Sequence, residues 1–312
     1  MYEYDKRVVL TLDAGGTNFV FSAIQGNNEM ISPIGLPAVS DNLDECLEVL
    51  VKGFDRVIAA IPVPPVAISF AFPGPADYEN GIIGDLPNFP SFRGGVALGP
   101  FLKHKYGIPV FIENDGNLFA YGEALSGALP MINRELSLAG CSREYKNLIG
   151  ITLGTGFGAG VVINKVLLTG DNGCGGDIWL MRNKKYPDML AEESVSIRAV
   201  RRVYSDLSGQ SSASLSPKDI YDIAEGIKEG DSHAAIASFN ELGIMAGAAI
   251  ASVLNVVDGL VVIGGGVAGA SKYILPALIT ELRAQLTTFS GNKFPCVSMQ
   301  VYNGEDESER AR

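Results

Sequence analysis

Two glycine-rich loops in this sequence have the composition of phosphate-binding loops. The first, Asp13-Ala14-Gly15-Gly16-Thr17, directly follows the apolar run of residues 8–12. Paired glycines let the backbone approach a ligand closely, so that amide N–H groups and the Thr17 hydroxyl could bind phosphate oxygens. Asp13 could hold a magnesium ion through water, because magnesium keeps much of its hydration. A tight hairpin with glycines at positive φ would explain the same residues equally well.

The second loop, residues 154–160, has the sequence Gly-Thr-Gly-Phe-Gly-Ala-Gly. Its spacing is similar to G-x-G-x-x-G, but a dinucleotide-binding loop must be followed by a helix, and residues 161–163 predict a strand. Without a following Gly-Lys-Ser/Thr it is not a P-loop either. The remaining interpretation is a phosphate-binding loop between two strands. Two such loops could hold a triphosphate between two domains.

Two further segments follow predicted strands. Residues 113–117, Glu-Asn-Asp-Gly-Asn, lie where a strand gives way to a helix, whose dipole favours the Asp115 carboxylate. A helix cap is the favoured local explanation, although ligands of α/β proteins also bind at strand ends. The glycines at 264–266 follow a strand at 260–263 and would let a flat ligand lie on the backbone. A flexible connector explains these glycines equally well.

The elements that must position these loops repeat along the chain. The pattern strand, Gly/Thr loop, strand, turn, strand starts near residue 8 and again near residue 148, which predicts two similar α/β domains with mixed sheets. Strands are also predicted at 66–70, 109–112 and 260–263. Helices are predicted at 41–58, with Asp41 as the cap, and at 97–106, 114–126, 194–207, 217–228, 231–257 and 271–289.

Composition excludes several classes of protein. The 312 residues carry a net charge of −11, which argues against a nucleic-acid binder, and 47% are hydrophobic, too many for disorder. Glycine, at 37 residues, is in excess. The uncharged stretch 57–76 contains five prolines and cannot be a membrane helix, and the apolar stretch 243–257 is shorter than a bilayer requires. No secretion signal is evident, and four scattered cysteines predict free thiols in the cytoplasm.

These motifs, in this order and spacing, resemble those of the ROK family of sugar kinases and repressors, within the actin–hexokinase superfamily. Residues 13–18 resemble the first phosphate motif, and 72–77, 81–83 and 87–89 the sugar-binding segment. Residues 113–117 resemble the catalytic motif, 154–156 the second phosphate motif and 264–266 the adenosine motif. The resemblance implies two ribonuclease-H-like (actin/hexokinase-type) domains around a cleft, expected at residues 1–116 and 117–312.

The resemblance further implies a kinase that uses ATP and Mg²⁺. Asp115 would be the general base that takes a proton from a hydroxyl, expected to be O6, of a hexose or N-acetylhexosamine. Asp13 would position magnesium. The residues expected to bind the sugar are Gly74, Asn88, Asn114, Asp115, Asp177 and Glu192. Those expected to bind the nucleotide are Asp13, Gly15, Gly16, Thr17, Asn18, Gly154, Thr155, Gly156, Gly265 and Gly266.

The sequence departs from the family after the second phosphate loop. Asp177 stands where a Glu is usual and Leu180 where a zinc-binding His is usual, and residues 181–189 lack the zinc-binding cysteines, so no zinc site is expected. Glu192 could equally be a solvated charge at a helix start. Trp179 could wall the sugar site or be a core residue, and the core is slightly favoured. The changes cluster on the sugar side and could admit another anomer or a bulkier sugar.

A regulatory, non-catalytic sugar sensor is the alternative function. Family repressors carry an N-terminal helix-turn-helix domain, whereas seven residues precede the first predicted strand here, so DNA binding is not expected. A homodimer is expected from the resemblance. The end of the chain, residues 303–312, differs from the Gly/Ala-rich helix usual in the family. The acidic charge implies that backbone amides and magnesium hold the anionic nucleotide.

Overall fold

Helices and strands alternate along the chain. The structure is a computed structural model that describes residues 2–15, 17–85 and 90–311. The strands are β1 Val9–Ala14, β2 Asn18–Gln25, β3 Asn28–Glu29, β4 Ile34–Pro37, β5 Ala67–Ala71, β6 Ala76–Asp77, β7 Ile82–Ile83, β8 Val110–Glu113, β9 Leu148–Leu153, β10 Phe157–Ile163, β11 Val166–Leu167, β12 Leu260–Gly264, β13 Gln285–Thr287 and β14 Lys293–Pro295. The helices are α1 Leu43–Ala60, α2 Leu98–Tyr106, α3 Asp115–Leu125, α4 Ala128–Leu138, α5 Ile197–Ser208, α6 Pro217–Ala224, α7 Ser232–Val257, α8 Ser271–Leu282 and α9 Glu307–Arg310.

The chain forms two compact units. Unit 1 comprises Met1–Leu118, Leu125–Glu135 and Thr169–Gly173. Unit 2 comprises Phe119–Ala124, Leu136–Leu168 and Cys174–Arg312. Each unit contains a mixed sheet and a hydrophobic core of its own.

The two sheets share one pattern, which confirms the repeat and the mixed α/β class predicted from the sequence. In unit 1 the order is β3-β2-β1-β5-β8, with β4 also on β2. In unit 2 the order is β11-β10-β9-β12. The first strand of each sheet is antiparallel to the strand after it and parallel to a later strand on its other side.

The core of unit 1 forms where α1 packs on the sheet. Leu50, Phe54 and Val57 follow helical spacing and are fully buried, and the Phe54 ring meets the Phe21 ring of β2 edge-on at 5.1 Å between centroids. Gly53, on the same face of α1, permits this close packing. A Cβ atom added there would lie 2.3 Å from Phe21 ring carbons.

Helix α7 is central to the core of unit 2. It runs from Ser232 to Val257, close to the predicted 231–257, and by length and composition alone it could cross a bilayer. Half of its most apolar window is nevertheless buried within the protein. Its contacts with α5 and α8 are those of a core helix, as the sequence predicts.

Several predicted helix ends were wrong for local reasons. The N-cap of α1 is Asn42, not Asp41, because the Asn42 side chain accepts a hydrogen bond from the Glu45 amide at 3.3 Å. Helix α5 begins at Ile197, with Ser196 as its cap. Helix α8 ends at Leu282 instead of residue 289. The residues after it form the β13–β14 hairpin, whose turn includes Gly291 at φ +85°.

We predict opposite stability changes for two helical glycine substitutions. Gly53→Ala should lower Tm, because overpacking against Phe21 costs about 1–3 kcal/mol. Gly122→Ala, at an exposed position of α3 with no atom within 4 Å of the added Cβ, should raise Tm slightly through helix propensity. Differential scanning calorimetry of both variants checks this. An equal shift in both would contradict the packing role of Gly53.

Candidate active site in two pairs of loops

Strand register in unit 1 brings the first phosphate loop and the catalytic motif to one sheet edge. Asp13, Ala71 and Glu113 are register partners across the parallel strands β1, β5 and β8. The preceding row, Leu12, Phe70 and Ile112, is buried in the core. The Asp13 row therefore points away from the core, with Asp13 and Glu113 two strands, or about 10 Å, apart.

The first phosphate loop is shaped by Gly15 and Thr17. A Cβ atom on Gly15 would lie 2.9 Å from the Asn18 carbonyl oxygen, so the turn requires glycine. The Thr17 carbonyl accepts a hydrogen bond from the Ala38 amide at 2.9 Å, while Thr17 and Asn18 are exposed. Gly16, also predicted to bind the nucleotide, lies outside the described residues. Strands β1 and β2 pair antiparallel, so the loop between them is the turn of a hairpin. A hairpin turn does not exclude ligand binding by the same loop.

The residues of the catalytic motif, 113–117, make different hydrogen bonds. The Asn114 side-chain oxygen caps α3 by accepting hydrogen bonds from the Gly116 amide at 2.9 Å and the Asn117 amide at 3.3 Å. Glu113 Oε1 accepts from the Asn114 amide at 2.9 Å and the Asn117 side-chain nitrogen at 3.1 Å. The cap interpretation therefore holds for Asn114. Asp115, the first residue of α3, is exposed.

Tyr78 supports this motif and was missed in the sequence analysis, because no local pattern marks it. Its hydroxyl donates to the Phe72 carbonyl at 2.9 Å. Burial raises the pKa of Tyr78 to about 12; a hydrogen bond with Asn114 opposes that shift, and the charges of Asp115 and Glu113 add to it. A Cβ atom on Gly74 would lie 3.0 Å from the Tyr78 oxygen. Gly74 thus adjoins this network, whereas Asn88 lies outside the described residues.

The second phosphate loop, in unit 2, is a tight turn between β9 and β10. The Gly154 amide donates to the Gly156 carbonyl at 3.1 Å, and the Gly154 carbonyl accepts from the Ile197 amide at 2.9 Å. The Phe157 amide donates to Glu192 Oε2 at 3.0 Å. Thr155 is exposed at the tip of the turn.

The adenosine loop follows β12 beside this turn. Strands β9 and β12 are parallel, and Gly264 is the register partner of Thr152, so both strands deliver their loops to one edge. Gly265 has φ +92°, and a Cβ atom there would lie 2.4 Å from the Leu153 carbonyl oxygen. The Val267 amide donates to the same carbonyl at 2.9 Å. Gly266 faces open space.

The candidate sugar ligands of unit 2 already have protein partners. Asp177 is exposed, and its Oδ1 accepts a hydrogen bond from the Trp179 indole nitrogen at 3.2 Å. Trp179 is 37% exposed, so the expectation of a core residue was wrong. Glu192 accepts from Phe157 and from Arg198 Nη2, the latter at 3.2 Å. It is therefore not a freely solvated charge at a helix start.

The donor set of unit 1 fits a hydrated magnesium ion better than a caged metal. Within residues 2–15, 17–85 and 90–311, no group of three or more His, Cys, Asp or Glu side chains is placed to hold a metal. Magnesium is commonly bound by one or two carboxylates together with water and substrate phosphates. The exposed Asp13 carboxylate at a strand end suits that role. The absence of zinc stays a prediction from the missing cysteines.

The paired sheets and their loops define the ribonuclease-H-like, actin/hexokinase class of fold. The chain belongs to the ROK family, whose model matches residues 9–306. It is 61% identical to a glucokinase from Parabacteroides distasonis, with a TM-score of 0.89 over 100% of this chain and 85% of that one. A glucokinase from Thermotoga maritima is 26% identical over 88% of this chain and 86% of its own length. An N-acetyl-D-glucosamine kinase from Vibrio cholerae is 29% identical over 54% and 51% respectively.

We predict that two adjacent glycines of the adenosine loop differ in their tolerance of alanine. Gly265→Ala should lower Tm by several degrees, because a strained positive φ costs about 1–3 kcal/mol and Leu153 must also shift. Gly266→Ala, whose Cβ meets no atom within 4 Å, should change Tm little. Thermal unfolding followed by circular dichroism compares them. Equal Tm values would contradict the described loop geometry.

Proposed function

We propose that this ROK-family sugar kinase transfers the γ-phosphate of ATP to O6 of a hexose or N-acetylhexosamine, with Asp115 as the general base. The observation that carries the proposal is the placement of Asp115. It is exposed at the N-terminus of α3, beside an Asn114 cap and at the sheet edge where Asp13 also lies. The glucokinase and N-acetylglucosamine kinase relatives support the substrate class.

Asp115 has the chemistry of a base that accepts one proton from a hydroxyl. Its Oδ1 accepts a hydrogen bond from the Gly116 amide at 2.9 Å, which fixes the carboxylate and leaves Oδ2 to face a substrate. As the sugar hydroxyl attacks the γ-phosphorus, Asp115 would take its proton, a contribution of typically ~10²–10⁴-fold in rate.

Sugar contacts follow from the groups that remain available. The Asn114 oxygen is used by the cap and the side chain also bonds Tyr78, so we assign to the remaining hydrogen of its amide nitrogen the role of donor to a sugar oxygen. Asp177 and Glu192 would accept hydrogen bonds from sugar hydroxyls through lone pairs not used by Trp179, Phe157 and Arg198. Gly74 and Asn88 complete the proposed sugar-binding set.

Nucleotide binding would rest on backbone amides. We assign the phosphates to the first loop (Gly15, Gly16, Thr17 and Asn18) and to the second (Gly154, Thr155 and Gly156), and the adenosine to Gly265 and Gly266. Asp13 would hold magnesium through water, and the ion neutralises phosphate charge when bound. Neutral amides suit a chain with a net charge of −11, whose field repels an anion.

Replacement of Asp115 should separate sugar turnover from sugar binding. We predict that Asp115→Asn lowers kcat by about 10²–10⁴-fold, because the amide cannot accept the proton. Sugar binding should persist. ADP release is measured across hexoses, N-acetylhexosamines and a no-sugar control, and the phosphorylated position of each product is determined by NMR. Emission from the single tryptophan, Trp179, reports binding next to Asp177.

Asp44→Asn is the matched control, because it makes the same change at an exposed position in the first turn of α1. It should leave turnover unchanged. Sugar binding by the unmodified protein without ADP release would overturn the kinase proposal and favour the sensor. Glucose as the best of all the sugars offered would refute the idea that Leu180, in place of His, admits another anomer or a bulkier sugar.

A further inference from the structure

Asn183 is a buried polar residue with a complete set of hydrogen bonds. It is 2% exposed. Its side-chain nitrogen donates to the Leu190 carbonyl at 3.1 Å and to Ser194 Oγ at 2.8 Å. Its side-chain oxygen accepts from the amides of Lys185 and Tyr186, each at 3.0 Å. A primary amide offers two hydrogens and two lone pairs, and here all four are used.

These bonds close the loop formed by residues 181–191. The backbone contributes an isolated β-bridge between Arg182 and Leu190 and a 2.8 Å bond from the Ala191 amide to the Met181 carbonyl. The Asn183 amide also donates to the Met189 carbonyl at 3.0 Å. The side chain of Asn183 adds hydrogen bonds to residues on both sides of the loop. It therefore holds the two sides of the loop together from within.

The two groups that receive hydrogen bonds from Asn183 flank the turn that carries Glu192. Leu190 precedes this 3₁₀ turn, Ala191–Glu193, and Ser194 follows it. Glu192 in turn accepts from the Phe157 amide in the second phosphate loop. A Cβ atom on Gly156 would lie 2.5 Å from Glu192 Oε2, so the carboxylate rests directly on that loop. A path of direct contacts thus joins Asn183 to Gly156 and Phe157.

Ion pairs on the outside of the same loop are weaker determinants of its shape. Lys184 pairs with Glu281 of α8 at 2.5 Å, and Lys185 pairs with Glu241 of α7 at 2.7 Å. The lysine side chains are about half exposed, whereas the Glu281 and Glu241 side chains are 16% and 17% exposed, so water screens each pair mainly from the lysine side and weakens it. A buried amide is different, because losing it leaves backbone groups without partners away from water.

We propose that Asn183 is a positioning residue for the kinase reaction: it holds the turn that carries Glu192, so that this carboxylate stays on the second phosphate loop and faces the sugar. The inference rests on the proposed function, since it assigns Glu192 to sugar binding. Asn183 itself touches no substrate. Its effect on catalysis passes through Glu192.

A double-mutant cycle tests the route through Glu192. Asn183→Asp keeps the acceptor for Lys185 and Tyr186 but replaces the donor that serves Leu190. It should raise the KM for sugar by roughly tenfold, the effect of losing a hydrogen bond that orients a charged group. In a Glu192→Gln background the same substitution should have no further effect, because coupled residues are not additive. An equal rise in both backgrounds would overturn the proposal.

A second measurement is independent of turnover. Hydrogen exchange at the Phe157 amide should accelerate in Asn183→Asp and in Glu192→Gln, because both weaken the bond to Glu192 Oε2. Unchanged exchange in Asn183→Asp, with accelerated exchange in Glu192→Gln, would refute the positioning role. If the unmodified protein turns over no sugar, the proposed function fails, and exchange alone decides whether Asn183 places Glu192.

Two further variants separate positioning from general stability. Ser212→Ala removes another buried hydroxyl, which bonds the Arg201 carbonyl outside the site; it should lower Tm without raising the sugar KM. Ser194→Ala removes one acceptor of Asn183 and should raise the sugar KM by less than Asn183→Asp, which keeps the test open if the latter fails to fold. A KM rise in Ser212→Ala equal to that in Asn183→Asp would contradict the proposal.

Discussion

Parallel pairing of strands is the constraint on which the candidate loops of each unit depend. In unit 1 it aligns the carboxyl ends of β1, β5 and β8, so Asp13 and the catalytic motif share an edge. In unit 2 it aligns β9 with β12, so the second phosphate loop lies beside the adenosine loop. Residues far apart in sequence become neighbours because the hydrogen-bonding register leaves them no other position. A one-residue slip would turn Asp13 toward the core.

The glycines at these edges have two distinct physical roles. Gly15 and Gly265 are required by close approach, since an added Cβ atom would lie less than 3 Å from a backbone oxygen, and a Cβ atom on Gly156 would displace the Glu192 carboxylate. Gly154 and Gly266 meet nothing within 4 Å, so their lack of a side chain leaves space that a ligand can fill. The excess of glycine in the sequence includes glycines of both roles, and the amino-acid composition alone does not distinguish the two.

The sequence predicted the parts of the site that local pattern determines. Loops after apolar strands, the helix that starts beside Asp115 and the repeated sheet pattern all follow from short-range order, and the family match agrees with them. The end of α8 was missed because the residues after Leu282 pair as a local hairpin, which their helical apolar spacing does not mark. Tyr78, Asn183 and Arg198 were missed because their roles arise from contacts with Phe72, Leu190 and Glu192 that no nearby residue pattern encodes.

The contact between Glu192 and the second phosphate loop also limits the number of backbone amides of that loop that can bind a phosphate. The Phe157 amide is used by Glu192, and the Gly154 amide is used by the Gly156 carbonyl. Among residues 2–15, 17–85 and 90–311, no acceptor is found for the amides of Thr155 and Gly156. An anion on this turn would therefore be held by those two donors and the Thr155 hydroxyl. The Arg198 guanidinium beside Glu192 offsets part of the charge that would otherwise repel the anion. A carboxylate can thus rest on a phosphate loop because it occupies one amide and leaves the tip of the turn free.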